Sequence, residues 1–357
     1  MTRSGGWSLV EKVERQRGVF EQSISLLQQT LSSPDGDRFW APVDPGAVLD
    51  DSDKLSAQDF YQTALNKGLW YIAFQPRQLY WAWSYALRLH EHSSPMLADI
   101  PVSASSLPVF NAAAIRNDTA TCVLVNFPLL LGLEICNAKY FSVLDAVITG
   151  WEPYLPAFLW KRLSRTVMRP VWRDYQHAIR WILNPQTYSH QFIPWRKREI
   201  QTDHNCVAGH NVVYLQALFI VLHEFGHICS GHLDQGPMLD KHSAPVLIPS
   251  SPDLELQADE FAVRSLGSLV KGFSINGIGV KGESAVEMVL VALVFLFMTF
   301  ASIEGWQLNL GISLEYKTHP PALLRWAHIM ALLKKDPSFA PRVDEYARSL
   351  ALFSKML

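Results

Sequence analysis

Cysteine is scarce in this chain. Four thiols (Cys122, Cys136, Cys206 and Cys229) in 357 residues make no disulfide scaffold, and no C-x-x-C pair is present. That excludes a zinc knuckle and a thioredoxin-like motif, and free thiols fit a reducing compartment. Charge is also scarce, at 18% of residues with a net value of −2. Low charge beside 49% hydrophobic residues excludes an intrinsically disordered chain, and the near balance argues against a wholly basic nucleic-acid binder. The opening MTRSGGWSLVEKVERQRGVF contains no apolar h-region and no small-residue cleavage site. The expectation is therefore a cytoplasmic protein without a secretory signal. A spanning helix needs roughly 20 apolar residues, and the most apolar window, 288–303, has 16 uncharged residues between Glu287 and Glu304. It reads as a buried core helix, with a membrane span as the alternative. Neither an internal repeat nor a low-complexity tract is found.

What is present suits a large packed core. Aromatic residues make up 11%, and the length fits one large domain or two modest ones. Residues 10–31, 60–74 and 78–92 have helical apolar spacing. PVFNAAAIRNDTATCVLVNF contains two short apolar runs around Arg116-Asn117-Asp118-Thr119, a hairpin pattern in which Asn and Asp tolerate the turn. Further helices are expected over LLLGLEICNAKYFSVLDAVI, 211–231, 252–266, 284–303 and after Pro321. The class is mainly α with a small β element (α+β). A division follows into a helical N-terminal region, 1–105, recognising substrate or regulating, and a domain over 106–357. The latter carries a basic and aromatic insert at about 150–205.

One helix carries the chemistry. VVYLQALFIVLHEFGHICSGH contains H-E-x-x-H at His223, Glu224 and His227. Positions i and i+4 share a helical face. Two imidazoles so placed suit one zinc ion per chain, with Glu224 beside them as general base for a water. The residues before the motif are apolar on nearly every face. Burying two imidazoles and a carboxylate there costs roughly 2–7 kcal/mol per unpaired polar group, which a shared metal removes. Gly226 costs about 1 kcal/mol against Ala inside a helix. It predicts close approach of another element, the hairpin being the candidate. A hydrolytic zinc site needs a third protein ligand. Glu255 in ELQADEFA is the choice, on a helix that Ser251 caps and Pro252 begins. Asp259 lies four residues on, on the same face, to orient a ligand imidazole. His232 fails the metzincin spacing, since Ser230 and Leu233 stand where Gly and His are required. On a continuous helix it falls on the face opposite His223, which makes it a supporting histidine rather than a ligand.

These residues resemble the gluzincin-type zinc metallopeptidases. HEFGHICSGH followed by ELQAD is similar to the HtpX-type peptidases, as is KTHPPALLRWAHI with His319 and Arg325. The N-A-containing hairpin is similar to the one that precedes the active helix of that group. HEFGHI also resembles the Lit-type phage-exclusion proteases and the ImmA/IrrE-type peptidases. The resemblance implies a zincin-like core and a zinc endopeptidase acting on protein or peptide substrates. It implies His223, His227 and Glu255 as zinc ligands, Glu224 as base, Asp259 in support and His319 near the oxyanion. It also implies a selective or triggered intracellular protease, with housekeeping or quality-control degradation as the alternative. A different class of function stays open beside it. Lys161, Arg162, Arg165, Arg169, Arg173, Arg180, Arg196, Lys197 and Arg198 interleave with Trp160, Trp172, Trp181 and Trp195. Such a segment suits nucleic acid or an anionic membrane, or simply the solvated face of a helix. A zinc-bearing scaffold recruited by nucleic acid is the corresponding alternative to an enzyme, and the intact Glu224 argues against it.

Overall fold

The computed structural model describes Leu9, residues 76–105, 111–116, 120–126, 204–234, 251–272, 283–309 and 320–346, and scattered positions between 129 and 141. Positions 91, 92 and 345 within these ranges are excepted. The N-terminal region before residue 76 (Leu9 aside) and the basic and aromatic residues 160–198 lie outside the described residues.

Helix α1, Pro76–His90, begins on a proline, which suits a first position whose N–H has no helical partner. Leu79, Ala82, Trp83 and Ala86 are buried at helical spacing. The Trp83 indole N–H donates to the Ile100 carbonyl at 3.1 Å and ties the helix to the chain that enters the sheet. Three strands follow: β1, Val102–Ser105; β2, Ala112–Arg116; and β3, Thr121–Asn126. Their order is β1-β3-β2. β2 and β3 form the expected antiparallel pair, with Ala113 opposite Leu124 and Arg116 opposite Thr121. β1 joins the other side of β3 in parallel, Val102 opposite Val123, and makes the sheet mixed. β3 is buried along its whole length.

The longer remaining described elements are helices: α2, His204–Cys229; α3, Pro252–Gly272; α4, Glu283–Asn309; and α5, Ala322–Leu333. Every side chain over 212–228 is buried, because α2 packs against α1, α3, α4 and β2. A helix apolar on all sides requires such company. The Ser251 hydroxyl accepts the Leu254 N–H at 3.4 Å and caps α3. The Glu304 carboxylate accepts the Ala322 N–H, at 2.9 and 3.1 Å, and pins the start of α5 to α4. The windows Val212–Cys229 and Ala285–Leu308 are long and apolar enough to cross a membrane by length and composition. Within the protein 94% of the first and 67% of the second is buried. A polar pair joins α2 to the segment that carries Asn137. Asn137 and Gln216 exchange side-chain hydrogen bonds of 2.8 and 3.1 Å, and Gln216 Nε2 also donates to the Ala292 carbonyl of α4 at 3.1 Å.

Candidate metal centre and active site

His223, Glu224 and His227 occupy the last two turns of α2, and all three are buried. Glu255 and Asp259 lie on α3, in its first two turns, and are also buried. Gly226 lets these helices meet. A Cβ there would stand 2.9 Å from Ala258 Cα and 3.1 Å from Phe261 Cβ. The close approach read from Gly226 is therefore to α3 and not to the hairpin. A glycine against an alanine brings the backbones near enough for short donors on each helix to face one another.

The His223 and His227 Nε2 atoms are 3.2 Å apart. Glu255 Oε2 lies 3.4 Å from His223 Nε2, and Oε1 lies 3.5 Å from His227 Nε2. Two nitrogens and a carboxylate thus converge within 4.8 Å, the one such group among the described residues. Zinc holds such ligands at about 2.0–2.2 Å in a tetrahedron, whose edges are then about 3.3–3.6 Å. The two imidazole nitrogens stand close to such an edge apart, and each carboxylate oxygen of Glu255 stands at that distance from one of them, so the residues present fit a zinc ion.

Asp259 stands behind His223. Its Oδ1 accepts from His223 Nδ1 at 3.0 Å and from Arg325 Nη2 at 2.7 Å, and its Oδ2 accepts from Arg325 Nε at 2.9 Å. Arg325, on α5, also lies over the Phe297 ring and within 3.9 Å of Glu255 Oε2. The sequence offers it only inside the quoted T-H-P-P segment, with no role, because its partner is 66 positions away. Burial would lift the Asp259 carboxyl, but the Arg325 guanidinium holds it below the ordinary range. Burial would lower the His223 imidazole, but its bonds to Asp259 and Glu255 raise it to about 9. Burial, and then the charge of His223, lower His227 to about 3.

Glu224 faces the sheet. Asn111 bonds β3 through its carbonyl, so in this antiparallel pair the alternate residues Ala112, Ala114 and Arg116 turn their backbone groups outward. The Ala114 N–H donates to Glu224 Oε2 at 2.7 Å. Burial pushes the Glu224 carboxyl up to about 7, against the pull of His223.

His232 is not on the continuation of α2. The helix ends at Cys229, and Gly231 takes a φ of 71°, which turns the chain. His232 then folds back, and its Nδ1 lies 2.9 Å from His227 Nδ1, on the side of that ring away from Glu255. The helix expected to run to 231 ends two residues earlier, and a glycine in left-handed geometry sets the direction in which His232 leaves it. His319 lies outside the described residues.

A family model described as Peptidase U49 matches residues 161–340, just over half of the chain. The match contains α2 to α5 and most of the basic and aromatic segment, and begins after the sheet. No curated protein matches, and no solved structure matches.

Proposed function

Because the chain belongs to the peptidase U49 family, we propose that it is a zinc-dependent endopeptidase with His223, His227 and Glu255 as the metal ligands and Glu224 as the base. A peptidase acts on proteins or peptides. The observation that carries the metal reading is the convergence of three donors from two helices at separations of 3.2, 3.4 and 3.5 Å. A bound zinc ion supplies Lewis acidity, polarising a carbonyl and lowering the pKa of water toward about 7. The chain's own residues do the rest. Glu224 takes a proton from the attacking water and returns it to the departing amine, a contribution of about 10²–10⁴ in rate. The Ala114 N–H holds one carboxylate oxygen and leaves the other to work. Asp259 fixes the His223 ring, and Arg325 keeps Asp259 ionised. The outward backbone groups of Ala112 suit a substrate strand added to the β2 edge. His319, supported only by the resemblance of its segment, is assigned to the oxyanion.

The biological reading is a selective, triggered protease of phage-exclusion type in the cytoplasm, supported by the resemblance of HEFGHI. Residues 1–105 are assigned to recognition or restraint. Metal content, measured in wild type, Glu224→Gln and His223→Ala, tests the proposal together with intact masses of lysate proteins before and after incubation. About one zinc is expected in wild type and Glu224→Gln and none in His223→Ala, with a cleavage product from wild type alone. Cleavage by Glu224→Gln at the wild-type rate would remove the base assignment. Folded wild type without zinc would remove the metal assignment.

A further inference from the structure

The two histidines at the centre are supported in unlike ways. His223 is held by a carboxylate, Asp259, whereas the Nδ1 of His227 meets a second imidazole. His232 is itself buried at 1% exposure. Its Nδ1 stands 2.9 Å from His227 Nδ1, and its Nε2 stands 3.1 Å from the Gln257 side-chain oxygen. Gln257 lies on α3, two residues after Glu255, with an exposed side chain. A turn after α2 and the second helix of the site therefore meet behind His227.

This contact has a direction. A carboxamide oxygen only accepts, so His232 Nε2 donates to Gln257. A neutral imidazole carries one N–H, so His232 Nδ1 is an acceptor. His227 Nδ1 must then donate to it, which leaves the His227 Nε2 lone pair facing Glu255 and His223. On the other arm, Asp259 accepts from His223 Nδ1, so that once zinc has displaced the remaining proton the His223 Nε2 lone pair faces the same point. Both arms present the same tautomer. One ends on a carboxylate bound to Arg325, the other on the Gln257 carboxamide.

We propose that His232 and Gln257 are positioning residues for the metal: the chain Gln257–His232–His227 fixes the His227 ring with its proton on Nδ1 and its Nε2 free to bind. The inference rests on the zinc reading above and adds to it the requirement that a supporting acceptor stand behind His227. Its geometry also gives Gly231 a purpose. The turn that it permits brings His232 back within reach, and Gln257 receives the far end of the ring on the helix that carries Glu255.

The test uses the full chain and zinc. Chelator competition gives the zinc dissociation constant, and long-range ¹H–¹⁵N NMR of zinc-loaded protein reports which nitrogen of each imidazole carries the proton. Removing an outer partner of a metal-bound histidine weakens metal binding about 10–100-fold, and that is the loss expected for His232→Ala. His232→Asn keeps an acceptor in place of Nδ1 and is expected to retain affinity within about threefold of wild type. Gln257→Leu, at an exposed position that does not threaten folding, is expected to weaken zinc binding, and Gln257→Glu, which retains an acceptor, to preserve it. The wild-type spectrum is expected to show His227 protonated at Nδ1. Zinc binding by His232→Ala as tight as wild type overturns the proposal, as does equal loss in His232→Ala and His232→Asn, which would mark a packing role. A His227 proton on Nε2 overturns it too. Wild type that binds no zinc overturns the metal reading together with this one, whereas a tight-binding His232→Ala overturns this one alone.

Discussion

Asp259 is drawn two ways, toward the His223 ring and toward the Arg325 guanidinium, and nothing around it is solvent. Breaking a buried pair by removing one partner costs about 3–5 kcal/mol, because the other charge stays buried and uncompensated. Asp259→Ala is expected to lose that much stability in urea unfolding of the metal-free protein, and a loss under about 1 kcal/mol would mean that Arg325 finds another partner. His223 carries a second prediction. In the metal-free protein its pKa is raised from 6.5 to about 9. A raised pKa means that the folded state holds the proton more tightly. This stabilises the metal-free fold fully below pH 6.5, and the contribution disappears as pH rises through about 9. A metal ligand must be deprotonated, so zinc has to displace that proton. The apparent zinc affinity is expected to rise about tenfold per pH unit between 7 and 9. Titration calorimetry in buffers of different ionisation enthalpy should show about one proton released from this group at neutral pH.

At the scale of elements, the pair Gly226 and Ala258 sets the distance between α2 and α3. A methyl group at 226 meets backbone at 2.9 Å, so Gly226→Ala must push the helices apart. A loss of about 1–3 kcal/mol is expected, with weaker zinc binding because Glu255 moves from the histidines. Gly305 in α4 is the control, since a Cβ there has nothing within 4 Å. Gly305→Ala should gain about 0.5–1 kcal/mol from helix propensity. Thermal unfolding of the two variants side by side should give shifts of opposite sign, and a destabilised Gly305→Ala would refute the account. The same elements explain what the sequence made legible. H-E-x-x-H and E-x-x-x-D are each readable because one helix fixes their faces. Which carboxylate meets the histidines depends on how two helices cross, and the crossing is announced only by Gly226, whose partner the sequence does not name. The β2–β3 hairpin is local and could be read. β1 is four residues long and pairs in parallel with a strand that is not its neighbour, and it leaves no alternating pattern to detect. Gly231 is visible as a residue, but the turn it makes is not, so the sequence does not say that His232 folds back onto His227.

For the molecule as a whole, a metal held by His223, His227 and Glu255 would tie α2 to α3. A ligand that binds only the folded state stabilises it by about 2.7 kcal/mol at a hundred times its dissociation constant. Chelation is therefore expected to lower the thermal midpoint, and restored zinc to return it. The His223→Ala variant should show no response to either treatment, and a wild-type midpoint indifferent to chelator would argue that the donors close on one another without a metal.

The amide pair of Asn137 and Gln216 has a different consequence. α2 and α4 are apolar all round, and two such rods offer many nearly equivalent ways of lying together. Sliding one by a single turn moves it about 5.4 Å and replaces aliphatic contacts by others of the same kind. It would also break the bond from Gln216 Nε2 to the Ala292 carbonyl, a loss of about 0.5–1.5 kcal/mol. Gln216 therefore acts as a key in a smooth shaft. By fixing the rotation of α2 against α4 seven residues before His223, it sets the compass bearing from which the histidines face α3.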